Sequence, residues 1–198
     1  MLRPGEKKMS IRRFRNTLAL AVLLAAAGDA GAQQLSEHQL VNTLGQVAEA
    51  ASAVDVAMLA QELAANPGKG IASLPHWSRL ATLPQFFVEI NFENNSVAIE
   101  PGSYRTLGLI ADALHHPLLL RYKFLVVGHT NATGDAKHNL DLSARRAEAI
   151  AEALGTTFSV APNRLFSIGV GSEMPVDPAN PKAADNRRVQ LLNIGLVK

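Results

Sequence analysis

The sequence of 198 residues contains no cysteine. It can form no disulfide bond, and it has no thiol to carry a lipid, so the usual anchor of a bacterial lipoprotein is not expected. Aromatic residues make up only 5% of the chain, which argues against the stacked aromatic surface that single-stranded nucleic-acid binders use. Apolar residues reach 47%, which is enough to form a packed core.

Long hydrophobic runs are also absent. The apolar run at 17–27 (TLALAVLLAAA) is too short to span a bilayer, which takes roughly 20 residues. It follows three arginines and precedes the small-residue pattern AGA at 30–32. These are the three parts of a secretory signal. We therefore predict that residues 1–32 are a signal peptide; the alternative is an uncleaved membrane anchor.

The positive charge of the chain is concentrated in the same segment. Residues 1–32 hold six basic and two acidic residues, a net charge of +4, whereas the whole chain carries +2, so the remaining sequence carries −2. A slightly acidic mature protein gives no electrostatic reason to expect nucleic acid as a partner. We expect an exported protein in the periplasm, with association with the outer membrane as a further expectation.

A helical segment is predicted at 33–66, with the helix itself at 36–65. Ser36 and Gln39 have the spacing of a capping box. A heptad repeat of apolar residues follows: Leu40, Leu44, Val47, Ala51, Val54 and Met58. Because it covers fewer than three heptads, we favour a helix packed on its own domain or folded back as a hairpin over self-association as a coiled coil.

Residues 67–84 hold three prolines and two glycines, which predicts a linker. Trp77 and Leu80 within it are expected to dock on another part of the chain. From residue 85 onwards strand and helix patterns alternate, and we predict a domain at 85–198. Its strands are predicted at 86–92, 123–128, 164–171 and 187–195, and its helices from Pro101 and at 139–154.

The order β-α-β-α-β-β predicts an α/β (α+β) fold. The crossovers should place the first three strands parallel, while the last strand can be antiparallel. The expected architecture is a two-layer sandwich with a mixed sheet, preceded by the helical N-terminal segment.

Polar residues cluster after the second predicted strand, in the sequence GHTNATGD that starts at Gly128. Ligands of α/β sheets lie beyond the carboxyl ends of strands, and the following helix start favours anions. Arg146, one to two turns further on, can offer a guanidinium to a carboxylate. This pattern predicts a small anion or zwitterion site. The alternative is that Asn131, Thr133 and Asp141 only cap turns and helix ends.

An enzyme and a metal site are weaker interpretations. His129 and Ser143, with Asp135 or Asp141, are the residue types of a hydrolytic triad, but the chain has no G-x-S-x-G sequence. The histidines lack the spacing of metal ligands. We therefore predict no enzymatic activity, no metal and no cofactor.

The motifs after the second strand resemble the OmpA-like C-terminal domain, over about residues 85–195. The residues that carry the resemblance are His129, Thr130, Asn131, Gly134, Asn139, Leu142, Ser143, Arg146, Ala147, Arg164, Leu165, Gly169, Gly171, Glu173, Pro175, Asn186, Arg187, Arg188 and Val189.

The resemblance implies a non-catalytic protein of a Gram-negative cell envelope that binds peptidoglycan non-covalently. It implies that the ligand is the diaminopimelate of the stem peptide, whose ammonium meets a protein carboxylate and whose carboxylate meets an arginine. The matching positions here are Thr130, Asn131, Ala132, Leu142, Ser143, Arg146 and Arg188. A protein of the outer membrane or of an envelope complex is a further expected partner.

This chain departs from the family at position 131, where Asn replaces the acid. An amide oxygen accepts a hydrogen bond from an ammonium but does not neutralise its charge, a loss on the order of 1–3 kcal/mol. Asp135 and Asp141 are the acids expected to compensate, and Asn131→Asp is expected to tighten binding. The alternative is a domain that has lost the ligand and serves as a protein-interaction or structural module.

Overall fold

The structure is a computed structural model that describes residues 35–46, 54–66, 71, 74–93 and 96–197. The predicted signal peptide, at 1–32, lies outside these residues. Residues Gln34–Lys198 form one compact unit. Within the described residues, no helix has both the length and the apolar character that crossing a membrane requires.

The sheet has four strands in the order β1-β4-β2-β3. Strands β2 and β3 are parallel, and β4 is antiparallel to both β1 and β2. The predicted mixed sheet is therefore confirmed, since the first three strands share one direction and the last opposes them. The strands are β1 (Gln85–Val88), β2 (Tyr122–Gly128), β3 (Leu165–Gly169) and β4 (Val189–Leu196).

The helices pack on both faces of the sheet. They are α1 (Glu37–Leu44), α2 (Val56–Ala65), α3 (Pro75–Leu80), α4 (Tyr104–His115) and α5 (Ala136–Thr156). Along β2, Phe124 and Val126 face the core that α1, α4 and α5 form, whereas Leu125 and Val127 face the core of α2 and α3. The predicted sandwich is thus present with an additional cover on its second face, which explains why β2 is a continuous apolar run.

The N-terminal segment forms two helices, so the prediction of one helix at 36–65 is wrong. The predicted capping box at Ser36 is present, but α1 ends at Gly45 and α2 begins anew behind Asp55, whose side chain accepts from the amide of Ala57 at 2.9 Å. The heptad repeat does not continue as one stripe, because Met58 is 39% exposed. Positions 47 and 51 of the repeat lie outside the described residues.

Helix α3 lies within the segment predicted as a linker. Its Trp77 is 1% exposed, and the indole N–H donates to the carbonyl of Leu59 in α2 at 3.1 Å. Glu62 of α2 also contacts His76, with 2.6 Å between Oε1 and Nδ1. Trp77 and Leu80 are both buried, as expected, so this part of the chain packs on the domain and differs from an open linker.

Two glycines allow α5 to lie directly on the ends of β2 and β3. Gly128 and Gly169 are paired in register across the two strands. A Cβ atom on Gly169 would lie 2.0 Å from the nitrogen of Ala144, and one on Gly128 would lie 2.3 Å from the carbonyl oxygen of Ser143. Because neither position has a side chain, the backbone of α5 can pack directly against the ends of β2 and β3.

Candidate functional site

The loop that follows β2 is bound by its backbone to both neighbouring loops. The amide of Thr130 donates to the carbonyl of Gly171 at 2.8 Å, and the amide of Ala132 donates to the carbonyl of Pro181 at 2.8 Å. The predicted site residues at 130–132 are therefore brought together at the carboxyl end of β2. Thr130 is buried, and its hydroxyl has no hydrogen-bond partner among the described residues.

Asn131 is only 6% exposed, and both polar ends of its amide are engaged. Its Nδ2 donates to the carbonyl of Lys182 at 3.0 Å, and its Oδ1 accepts from the hydroxyl of Thr133. An aspartate would lack the donor that Lys182 requires. The side chain therefore holds the 180–186 loop in place, and its amide nitrogen suits that contact better than a carboxylate oxygen.

Arg146 is half-buried and held from one side. Its Nε donates to the carbonyl of Ser96 at 3.1 Å, and the guanidinium lies 4.7 Å from the centre of the Phe92 ring. The two terminal nitrogens make no hydrogen bond within the described part of the chain. Burial lowers the pKa of Arg146, and the nearby positive charge of Arg187 lowers it further. A fixed arginine with unpaired terminal N–H groups beside a second cation is suited to bind an anion.

Phe92 owes its position to a break in the first strand. Strand β1 ends at Val88, earlier than the predicted end at residue 92, and Phe92 instead forms an isolated bridge with Ile99. The ring is partly buried against the main core. The Arg146 guanidinium therefore packs on a ring that is itself held by the core.

Arg188 lies further along the same edge. Its Nη2 donates to the carbonyl of Met174 at 3.0 Å, and its guanidinium lies 5.2 Å from the ring centre of Phe87. Its Nε and Nη1 are buried and, within the described residues, have no hydrogen-bond partner. Burial lowers the pKa of Arg188. A buried cation with unused donors is costly unless an anion reaches it.

His129 is buried beside this cation. Its Nε2 lies 3.2 Å from Oε1 of the Gln190 side chain. Burial first, and then the charge of Arg188, lower the pKa of His129 to about 3. The imidazole is therefore neutral at physiological pH.

Leu142 and Ser143 position α5 and expose little of themselves. Leu142 is 8% exposed and Ser143 is 1% exposed. The hydroxyl of Ser143 donates to the carbonyl of Leu140 at 2.8 Å and accepts from the amide of Gly171 at 2.8 Å. Ser143 therefore fastens the first half of the helix to the loop after β3.

The acids expected to compensate for Asn131 are engaged elsewhere. Asp135 caps α5 by accepting from the amide of His138 at 2.9 Å, and Asp141 pairs with Arg145 at 3.1 Å on the helix surface. Within the part of the chain that the structure describes, no hydrogen bond joins either acid to Ser143, whose hydroxyl is bonded to backbone groups. Among the described residues, no three His, Asp or Glu side chains form a group that could hold a metal ion.

A cavity of about 270 Å³ opens between the end of β1 and the start of β4. Its walls are Phe87, Val88, Glu89, Ala184, Asp185, Arg187 and Arg188. Of these, only Arg188 was among the predicted site residues. The outward position of Glu89 in the alternating strand sequence FFVEINF was the signal available for one of the others.

The predicted site residues thus fall into three places, of which one is the cavity wall that holds Arg188. Residues 130–132, Leu142 and Ser143 lie in the tightly bonded region between β2 and α5. Arg146 lies with Ser96 and Phe92, close to Arg187. Within the described residues, no hydrogen bond joins Arg146 to Asn131.

Comparisons with known proteins identify the family of this domain. The model of the OmpA family matches residues 91–188. The peptidoglycan-associated lipoprotein of Pseudomonas aeruginosa is 30% identical over 129 residues, which cover 64% of this chain and 72% of that protein. The peptidoglycan-binding protein ArfA of Mycobacterium tuberculosis is 32% identical over 105 residues, 52% of this chain. The chain spans about a third of the length of that protein, 31%.

Among solved structures, the peptidoglycan-associated lipoprotein from Burkholderia pseudomallei is 28% identical over 54% of this chain and 88% of that one, with a TM-score of 0.43. The family model spans β2, β3, the loop after β2 and the arginines described above. The chain belongs to the OmpA family.

Proposed function

We propose that this protein binds peptidoglycan non-covalently, as a non-catalytic component of the cell envelope. The observation that carries the proposal is the arrangement of Arg146. Its guanidinium is stacked on Phe92 and anchored through Nε to Ser96, so its terminal N–H groups remain available for a carboxylate. Arg187 adds a second positive charge close by.

Stem peptides supply the matching chemistry. Diaminopimelate carries carboxylates and an ammonium at the end of a flexible chain, and a planar guanidinium binds a carboxylate through two parallel hydrogen bonds. We propose Arg146 as the carboxylate-binding residue. Thr130, Ala132, Leu142 and Ser143 then shape the surrounding loop and helix, while Asn131 positions the loop at 180–186.

The relatives support peptidoglycan as the ligand. One is named as peptidoglycan-binding and another as peptidoglycan-associated. A protein that binds peptidoglycan in this way lies in the periplasm. Association with the outer membrane or with an envelope complex is part of the same proposal.

A second candidate function is that of a protein-interaction or structural module. The observation in its favour is that Asn131 is committed to Lys182 and Thr133, so position 131 offers no carboxylate to a ligand. In this case the domain keeps the fold but contacts a protein of the envelope.

The two candidates are separated by co-sedimentation with purified sacculi. We expect the mature protein to sediment with the sacculi, to be released by soluble diaminopimelate, and to bind about 10- to 150-fold more weakly after Arg146→Ala, since one charged hydrogen-bonding group contributes about 1.5–3 kcal/mol.

Arg145→Ala is the matched control, because Arg145 lies next to Arg146 on the same helix, is exposed and pairs with Asp141. Retention that is insensitive to both Arg146→Ala and diaminopimelate would favour the protein-interaction module. Release of soluble muropeptides during the incubation would contradict a non-catalytic function.

A further inference from the structure

Large apolar side chains are exposed at the end of the sheet that lies opposite the candidate site. Strand β2 begins there at Tyr122 and spans seven residues, about 20 Å, before it ends at Gly128 beside the candidate site. Leu118 is 65% exposed, and Leu120 and Leu196 are each 49% exposed. We call these three leucines the leucine patch.

The leucine patch is formed by two segments that are hydrogen-bonded to each other. Leu196 is paired with Tyr122 in the register of β4 and β2, and the amide that follows it donates to the carbonyl of Arg121 at 2.8 Å. Leu118 and Leu120 lie in the turn that leads into Tyr122. The patch therefore combines the start of β2 with the end of β4. Exposed apolar side chains that lie together are typical of surfaces that contact a partner.

The turn that carries Leu118 and Leu120 is fixed from the inside. Leu119, between them, is fully buried in the main core. The guanidinium of the buried Arg164 donates to the carbonyl of Leu119 at 2.8 Å through Nη2, and to that of Tyr122 at 3.0 Å through Nε. Burial of the middle leucine thus leaves its two neighbours on the outside of a held turn. A surface that is already ordered loses little conformational entropy when it binds.

Positive side chains accompany these leucines. Arg121 is exposed and directly follows Leu120. Lys123 is half-buried, and its Nζ lies 5.8 Å from the centre of the Phe166 ring, on the start of β3. Both cations thus belong to the same end of the sheet as the leucine patch.

The stretches of sequence that supply this end contain no acid. Neither Asp nor Glu occurs at 113–134, 153–172 or 187–198. Asp112 and Glu152 precede two of these stretches, and each lies about one turn inside the end of its helix, α4 or α5. The net charge beside the leucine patch is therefore positive, and a partner surface of negative charge is complementary to it.

The order of residue types is that of a protein segment at a lipid surface. The sequence LLLRYK at 118–123 places leucines next to arginine, tyrosine and lysine. At a bilayer surface, leucines enter the boundary of the acyl chains, tyrosine lies at the level of the headgroups, and long cationic side chains reach the phosphates. Anionic headgroups supply the negative charge that these cations match.

We propose that the leucine patch docks on a membrane surface that contains anionic lipids, with Arg121 and Lys123 at the level of the headgroups. Because the patch and the candidate site lie at opposite ends of β2, the domain can contact the membrane and peptidoglycan at the same time. This inference rests on the membrane association within the proposed function and names the surface responsible for it. It does not depend on peptidoglycan binding.

Co-sedimentation of the mature protein with lipid vesicles tests this inference. We expect binding to vesicles made of equal parts of phosphatidylethanolamine and phosphatidylglycerol, and weaker binding to vesicles of phosphatidylcholine alone. High salt should remove the difference, because it screens surface charges. The double variants Leu118→Ser, Leu120→Ser and Arg121→Gln, Lys123→Gln should each bind the anionic vesicles at least about 10-fold more weakly, since each loses two contacts with the bilayer.

Matched controls carry the same kinds of change at other places. The double variant Met58→Ser, Val176→Ser alters two exposed apolar side chains, and Arg105→Gln, Lys137→Gln removes two exposed cations in the first turns of α4 and α5. Both controls should bind the anionic vesicles as the wild type does. A loss of affinity in the controls as large as that in the patch variants would show a general effect of polarity or charge and overturn the inference.

Other outcomes separate the inference from the proposed function. If the wild type binds anionic vesicles no better than neutral ones, the inference falls, while sedimentation with sacculi still supports peptidoglycan binding. The Leu118, Leu120 double variant should sediment with sacculi as the wild type does, which shows that it is folded. Sedimentation velocity tests a second copy of the chain as the partner: a dimer that this variant dissociates would assign the leucine patch to self-association and overturn the inference.

Discussion

Replacing Asn131 with aspartate tests what the amide does. The resemblance to the family leads to the expectation of tighter ligand binding, whereas the structure leads to the opposite expectation for stability. The amide nitrogen donates to Lys182 in a site that is 6% exposed. Asn131→Asp would remove this hydrogen bond and set a carboxylate oxygen against a carbonyl oxygen.

The cost follows from the burial of the side chain at position 131 and the partial burial of its hydrogen bond to Lys182. A buried group left without its partner costs about 1–3 kcal/mol, and a chain of this size loses about 2–4 °C in Tm for each kcal/mol. We therefore expect Asn131→Asp to lower the Tm by roughly 2–12 °C at pH 7, as measured by thermal unfolding followed by circular dichroism. Asn180→Asp is the matched control, since it adds the same charge to an exposed position of the same loop.

The deficit should also depend on pH. Opposing acceptors disfavour the charged form, so the new carboxyl would have a pKa in the folded protein above its unfolded value. The folded state then binds more protons than the unfolded state, and stability relative to the wild type is regained as the pH falls through the folded pKa. A variant as stable as Asn180→Asp at pH 7, with no recovery at lower pH, would refute the role assigned to the amide.

Two further predictions concern the framework of the site. Gly169→Ala should cost about 3 kcal/mol of unfolding free energy in chemical denaturation, because its Cβ would lie 2.0 Å from the backbone of Ala144; Gly102→Ala, with nothing within 4 Å, should be nearly neutral. His129, with its pKa lowered to about 3, should make the wild type lose stability as the pH falls from 6.5 towards 3, by up to about 1.4 kcal/mol per pH unit, since only the unfolded chain binds the proton there. His129→Gln should flatten this dependence in urea titrations at several pH values, and an unchanged slope would assign it to other groups.

Local patterns predicted the main elements of the domain. The apolar run of β2 indicated a strand buried on both faces, and the capping box at Ser36 marked the start of α1. Both are present, because hydrogen bonding at a helix start and burial of a continuous apolar strand depend on residues close in sequence. The division of the predicted helix was not foreseen, although Gly45 and Asp55 carried the signals for an end and a new start.

The outcome for α2 and α3 shows the limit of such patterns. A segment rich in proline resembles a linker as long as its partner surface is unknown. Trp77 becomes a core residue only because the second face of the sheet offers Leu125 and Leu192 to pack against. Nothing in the local sequence of residues 67–84 indicates that this face of the sheet needs a covering helix.

The candidate site likewise has a part that local sequence determines and a part that depends on tertiary packing. The sequence by itself determined which residues follow β2 and begin α5, and the glycines at 128 and 169 determined that the helix and strands would meet there. Only the tertiary structure decided the charges around the candidate site: it joined the amide of Asn131 to Lys182 and brought Glu89 and Asp185 to one cavity. These contacts link residues that are distant along the chain, so they depend on the packing of β1, β4 and their loops rather than on any neighbouring pattern.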